Sequence, residues 1–191
     1  MIEKNQLIGI RWHGRGGQGS VTSAELVARA AISEGKYAQA FPSFGPERRG
    51  APVLSFVRIS RNTPLRIRAE ITEPDVVVIL DPGLLPVVNV TAGLKSKGIV
   101  VINTKKGADH IRREFGIIHT IAAVDATKIA LEEMKRSITN TCMLGAFARA
   151  TGWIQLDSIL SCLEEYIAGS ALQKNKICVQ RGYEETNVSE F

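Results

Sequence analysis

Two unbroken apolar runs, Val76-Val77-Val78-Ile79-Leu80 and Ile99-Val100-Val101-Ile102, constrain this chain more than any other feature. A strand with one wet face alternates apolar and polar residues. A strand that is apolar at every position needs cover on both faces, as in a parallel sheet between layers of helices. Asp81-Pro82-Gly83 ends the first run sharply, and Asn103 ends the second. The runs therefore predict an α/β protein.

The opening of the chain supports that class. Leu7 to His13 reads as a strand and runs into a glycine-rich loop. Gln18 to Glu34 has no proline and no glycine after Gly19, carries Val21, Ala24, Ala28, Ala31 and Ile32 at helical spacing, and meets Gly35 where a C-terminal cap belongs. Tyr37 to Phe41 reads as a second strand, which makes a βαβ unit. Val53 to Ile59 alternates as a strand does, and Leu65 to Ala69 is predicted to pair with it as a hairpin. A short helix is expected from Leu84 to Thr91. Ile117 to Val124 reads as a further strand, with Asp125 capping the helix behind it. Thr127 to Gln180 reads as helical, broken near 137–140, Gly152 and Gly169, and the tail from Gly182 as irregular. The expected architecture is a Rossmann-like three-layer fold, a mostly parallel sheet with a helical C-terminal region, forming one domain over residues 1–191.

Composition excludes several function classes. The hydrophobic share of 45% and charged share of 23% are ordinary for a globular protein. No apolar run reaches the roughly 18 residues of a membrane span. The first six residues lack the pattern of a signal peptide, so a cytoplasmic protein with no membrane association is expected. The net charge of +5 is scattered, without the aromatic-interleaved basic run of a nucleic-acid binder. Cys142, Cys162 and Cys178 are too sparse for an iron–sulfur cluster or a zinc site in this chain, and free buried thiols are the expectation. No metal site is expected.

The glycine loop, His13-Gly14-Arg15-Gly16-Gly17-Gln18-Gly19, spells G-x-G-x-x-G between a strand and a helix. Glycines tolerate positive φ and let backbone N–H groups approach a phosphate at a helix N-terminus. A dinucleotide site also wants an acidic residue at the end of the second strand, to hold the ribose hydroxyls. Gln39-Ala40-Phe41 stands there instead, and Glu34 precedes the strand. Phosphate contact, a structural tight turn and a nicotinamide or flavin site all stay open, the last weakened by the missing acid. A second loop, Pro42 to Pro52, holds Glu47, Arg48 and Arg49 between prolines. Arginine forks grip phosphates or carboxylates, and a stiff loop loses less entropy on engaging a ligand or a subunit. His13 reads as structural rather than catalytic, as do His110 and His119. Asp81 and Asp125 suit a strand-end turn and a helix cap. There is no Walker lysine, no G-x-S-x-G and no metal-ligand cluster, so a binding rim is expected without a catalytic residue in this chain.

Two stretches together are specific. "HGRGGQGSVTSAELVARAA" followed by "QAFPSFGPERRGAPVLSFVRI" resembles the gamma subunits of the 2-oxoacid:ferredoxin oxidoreductase family. The likeness is strong from about Ile8 through Ile59 and looser to about Cys178. The second motif is most similar to the pyruvate type (pyruvate synthase), with the branched-chain type next; a stand-alone nucleotide-binding Rossmann protein is the more distant alternative. The resemblance implies reversible oxidative decarboxylation of pyruvate with coenzyme A, giving acetyl-CoA and CO2 and reducing ferredoxin. It implies alpha, beta and delta partner subunits that carry thiamine diphosphate and iron–sulfur clusters, and a gamma subunit inactive alone that helps seat coenzyme A. The implied contact residues are Gly14, Gly16, Gly17, Gln18 and Gly19 with Arg48 and Arg49.

Overall fold

The computed structural model describes residues 7–43 and 50–191. Its single sheet contains β1 (Leu7–Arg15), β2 (Tyr37–Pro42), β3 (Pro52–Ser60), β4 (Val76–Ile79), β5 (Ile99–Asn103), β6 (Thr120–Val124) and β7 (Asn187–Ser189). The spatial order is β2-β3-β1-β4-β5-β6-β7. β1, β4, β5 and β6 pair in parallel; β3 is antiparallel to both β1 and β2, and β7 is antiparallel to β6. Five of the seven strands therefore run one way. The helices are α1 (Ser20–Ser33), α2 (Ala108–Phe115), α3 (Ala126–Met134), α4 (Asn140–Thr151), α5 (Leu156–Tyr166) and α6 (Ser170–Glu184).

The apolar runs behave as parallel-strand physics requires. Val76, Val78 and Leu80 of the first run join a core with α1, α4, α5 and α6, while Val77 and Ile79 join a second core against Leu84, Val90 and α2. Val101 faces the first core, and Val100 and Ile102 face the second. Each fully buried Val or Ile stabilises the fold by about 1.5–3 kcal/mol, so a strand greasy on both faces is held from both sides. Trp12 and Phe147, both fully buried, meet with ring centroids 6.1 Å apart between β1 and α4.

α4 and α6 are in backbone contact. A Cβ on Gly145 would stand 1.9 Å from the carbonyl oxygen of Val179, and one on Gly182 would stand 2.1 Å from that of Cys142. Only glycine permits this approach. Cys142, Cys162 and Cys178 are buried free thiols, and Cys142 and Cys178 lie on this same α4–α6 seam.

Four expectations are corrected. The βαβ unit exists, but β3 is inserted between β1 and β2. The hairpin at Leu65–Ala69 does not form, because β3 is already paired along both edges and offers no free N–H or C=O row. Side chains bind that segment instead: Gln39 Nε2 donates to Leu65 O at 3.0 Å, and Arg58 Nη1 donates to Ile67 O at 3.1 Å. The helix at Leu84–Thr91 is reduced to one 3₁₀ turn, Pro82–Leu84. Pro86 has no N–H to give to the carbonyl of Pro82, and its ring would clash there. The tail is ordered: α6 continues to Glu184, and β7 extends the sheet, with Arg112 Nη2 donating to Ser189 O at 3.2 Å and Glu190 O at 3.1 Å. Asp125 caps α3 as expected, accepting from Lys128 N at 2.9 Å. No helix among the described residues is long and apolar enough to cross a membrane.

Candidate functional site

The glycine loop, Asp81-Pro82-Gly83 and Asn103-Thr104 all stand at the carboxyl ends of β1, β4 and β5, where ligands of such sheets bind. β1 continues through Gly14 and Arg15, further than the sequence suggests, because it pairs with Val53 and Pro52 at the returning end of the second motif.

Each loop glycine has its own task. A side chain on Gly14 would crowd Leu80 at 3.1 Å and Ser20 at 3.2 Å, so this glycine lets α1 and β4 close on β1. Gly16 N–H donates to Ala51 O at 2.9 Å, and Gly16 O accepts from Gly50 N–H at 3.2 Å. Gly17, exposed, has φ +93° with nothing within 4 Å of a Cβ position, so the loop is open on that side. Gly19 has φ +79° and ψ +24°, and N-caps α1 with no side-chain cap. Gln18 N–H is spent inside the loop on Arg15 O at 3.0 Å. Among the described residues no hydrogen bond is made by the Gly17 N–H, and the first-turn amides of α1 by helix geometry have no partner within the helix.

The variable positions of the motif lock the loop in place. Arg15 Nε meets Asp81 Oδ2 at 2.7 Å, while its Nη1 donates to Gly50 O at 3.2 Å and its Nη2 to Gly83 O at 3.4 Å. Gln18 accepts from Arg15 N–H at 2.7 Å and donates to Asp81 Oδ2 at 3.2 Å. Asp81 Oδ1 accepts from Gly83 N–H at 2.8 Å. Partial burial alone would push the Asp81 carboxyl up. The hydrogen bonds from Gly83, Arg15 and Gln18 and the charge of Arg15 outweigh this, so its pKa lies below the ordinary carboxylate value. The crevice between β1 and β4, where chain order reverses, is thus closed by a hydrogen-bonded clamp. Gln18 is a brace in that clamp, and Arg48 and Arg49 lie outside the described residues.

His13 is buried within β1 and does not stand on the rim. Arg11 Nε donates to its Nε2 at 3.0 Å, and Arg11 itself donates to Val90 O at 3.0 Å and Ala92 O at 2.7 Å. Burial, helped by the Arg11 charge, pushes the His13 pKa down to about 3, so the ring is neutral and serves as an acceptor. His110 pairs with Glu114 at 3.0 Å, one turn along α2.

A second concavity of about 650 Å³ opens one strand further on, between the Pro82–Pro86 turn, Asn103–Lys106, α2 and α3. Ile111, Phe115, Leu85 and Leu131 form its apolar walls, and Lys106, paired with Glu114 at 2.6 Å, stands at its rim. Asn103 braces the floor, donating to Leu80 O and Thr127 Oγ1, both at 2.9 Å. The sequence placed Asp81-Pro82-Gly83 and Asn103-Thr104 at this edge of the sheet, while the walls that α2 and α3 supply come from separate segments that only the fold brings together.

A nicotinamide reading fares poorly in this geometry. The inserted β3 moves the end of β2 one strand, about 4.8 Å, further from the glycine loop than an adjacent second strand would be. Glu34 is committed elsewhere: it pairs with Lys36 and accepts from Gln155 N–H at 2.7 Å. Among the described residues no three His, Cys, Asp or Glu side chains converge to hold a metal.

Fold and rim together define a Rossmann-like α/β domain with a glycine loop at the carboxyl ends of its parallel strands. The chain belongs to the pyruvate ferredoxin/flavodoxin oxidoreductase family, whose profile matches residues 9–185. It is 51% identical, over 97% of its length and 100% of the relative's, to the Pyrococcus furiosus pyruvate/ketoisovalerate oxidoreductases common subunit gamma. It is 50% identical to the pyruvate synthase subunit PorC of Methanothermobacter marburgensis, over 94% of this chain and 97% of that one. The crystal structure of the pyruvate oxidoreductase subunit PORC of Thermotoga maritima superimposes with a TM-score of 0.86 at 42% identity, covering 97% of this chain and 99% of that chain.

Proposed function

We propose that this chain is the gamma subunit of a pyruvate:ferredoxin oxidoreductase and that its glycine-loop rim helps seat coenzyme A. The observation that carries the first part is identity near 50% along essentially the whole length of named gamma and PorC subunits. The exposed Gly17 beside the uncapped start of α1 supports the second. Thiamine diphosphate and iron–sulfur clusters, held by alpha, beta and delta partners, supply the carbon and electron chemistry. The gamma chain binds and orients. The Arg15–Gln18–Asp81 clamp keeps the loop in one shape, so an incoming phosphate meets preorganised amides. Arg48 and Arg49 either clamp phosphate or dock on a partner chain. A second reading has its own support: relatives 49–51% identical are named as common to pyruvate and ketoisovalerate oxidoreductases, so one gamma chain serving a branched-chain complex as well fits the same observations.

The test is made in the assembled complex with Gly17→Asp and Gly17→Asn. Both variants carry the same backbone strain at φ +93°, and only the first adds a charge. A screened carboxylate beside a phosphate costs about 1 kcal/mol, so the apparent KM for coenzyme A should rise roughly five-fold in Gly17→Asp and far less in Gly17→Asn, with kcat preserved. Equal KM values in the two variants would refute the phosphate role. Arg48→Ala should likewise raise KM; an unchanged KM with a dissociating complex would make Arg48 an interface residue.

A further inference from the structure

The segment from Pro64 to Ile71 carries a strand pattern and pairs with no strand. It runs without a turn or a bend, and among the described residues it makes no backbone–backbone hydrogen bond. Side chains of the sheet hold it by its carbonyls instead. Gln39 Nε2 donates to Leu65 O at 3.0 Å, and Arg58 donates through Nη1 to Ile67 O at 3.1 Å and through Nη2 to Glu70 O at 3.4 Å. Ser43 Oγ donates to Glu70 Oε1 at 2.7 Å, and Ile71 joins Phe41 and Phe56 in a small core. Pro64 fixes φ where the segment starts. The segment is therefore held in one shape without belonging to the sheet.

Its two sides have different tasks. In an extended chain the N–H and C=O of one residue point to one side, and those of the next residue to the other. The carbonyls of Leu65 and Ile67 are taken by Gln39 and Arg58. By this alternation the N–H and C=O groups of Arg66 and Arg68 turn away from those side chains, and among the described residues they have no hydrogen-bond partner. One side is fastened to the protein, and the other presents a short open ladder.

The side chains state what that ladder would accept. Ile67 is 66% exposed, more than any other large aliphatic residue among those described. It stands between Arg66 and Arg68, both exposed, and neither arginine has an ion pair or hydrogen bond among the described residues. Residues 58–68 hold four arginines and no acid. Arg58 is spent on the carbonyls and lies over the Phe41 ring, 5.3 Å from its centroid. Arg66 and Arg68 are left as two cations roughly 6.6 Å apart along an extended chain. A second copy of this chain would set arginine against arginine, which destabilises a strand pair. An extended segment with carboxylates two residues apart matches both cations, and arginine beside an exposed apolar residue is the composition of an interface anchor.

We propose that residues 65–68 are a docking strand, to whose open side a partner subunit of the complex adds an extended, acidic segment. Backbone bonds at Arg66 and Arg68 set the register, carboxylates of the partner pair with the two guanidinium groups, and the partner covers Ile67. Because Gln39, Arg58 and Pro64 already hold the segment, little of its entropy remains to be lost on docking. The proposal rests on the reading of this chain as a subunit of a larger assembly and is independent of where coenzyme A binds.

Hydrogen exchange resolved to single amides, in the free full-length chain and in the intact complex, reads the docking directly. The Arg66 and Arg68 amides should exchange freely in the free chain and slow on the order of a hundred-fold in the complex, while the Ile67 amide, on the fastened side, changes little. Equal exchange of Arg66 and Arg68 in the two states overturns the proposal. Arg66→Glu combined with Arg68→Glu should keep the Tm of the free chain, since both side chains are exposed, and weaken its association with the other subunits roughly ten-fold or more. Arg66→Lys combined with Arg68→Lys keeps the charge and should assemble nearly as the wild type does. A charge-reversed pair that assembles like the wild type overturns the acidic partner. A free chain that sediments as a dimer with Arg66 and Arg68 already protected puts a second copy on the segment and overturns it too. If the chain were no subunit, no complex would be recovered with it; failure of this proposal alone leaves an assembled complex with Arg66 and Arg68 unprotected.

Discussion

His13 leads straight into the glycine loop, yet its surroundings make it a buried neutral acceptor, and this has a measurable consequence. The folded pKa of about 3 lies below the ordinary value of 6.5. Between those values the unfolded chain binds a proton that the folded chain refuses. Stability therefore falls as pH drops below 6.5, at about 1.36 kcal/mol per pH unit for this one group. The contribution is intact at pH 7.5 and about 2 kcal/mol smaller at pH 5. It continues to fall toward pH 3, where the folded ring begins to protonate. His13→Gln preserves an oxygen acceptor for Arg11 and cannot titrate. Whatever it costs at pH 7.5, that cost should shrink by about 2 kcal/mol at pH 5, because the wild type has lost what the variant never had. Urea unfolding followed by fluorescence of the buried Trp12, at pH 7.5, 6 and 5, measures this difference with the other titrating groups cancelled. A wild-type-minus-variant gap that is constant across the range would show that His13 titrates normally, and the structural assignment would fail with it.

The α4–α6 seam predicts that Gly145→Ala destabilises strongly, since the new methyl would lie 1.9 Å from Val179 O. An overpacking cost of about 3 kcal/mol lowers Tm by roughly 6–12 °C in a thermal melt; a change of under 2 °C would mean the helices can separate freely. Asp81→Ala strips Arg15, Gln18 and Gly83 N–H of a shared acceptor and should cost about 2 kcal/mol. It should also raise the KM for coenzyme A in the complex by loosening the loop, while an unaltered KM would detach the clamp from binding. Because the Asp81 pKa is depressed, the wild-type advantage is present at neutral pH and is lost as pH falls through its lowered folded value.

Much of the architecture was legible because it rests on local chemistry. Periodicity placed α1 and β1 through β6 to within a few residues, and the glycines at 152 and 169 marked where α4 ends and α6 begins. The Asp125 cap needed only a side chain and the turn it precedes. The errors share a different cause. The false hairpin at Leu65–Ala69 is a sound strand pattern that found no vacant edge, and the tail became β7 because β6 had one. The unexpected pieces of the rim are equally non-local: Arg15 and Gln18 are 66 and 63 residues from the Asp81 they bind.

The sequence by itself determined that the sheet is buried on both faces, that a glycine loop joins β1 to α1, and which family motifs the chain carries, because those properties reside in neighbouring residues and their periods. Only the tertiary structure decided what each glycine is for. Gly14 and Gly19 serve close packing, Gly16 pairs with the returning loop, and Gly17 alone stands open. Packing sums contributions from segments far apart in the chain, and no local pattern encodes which amides it leaves facing empty space.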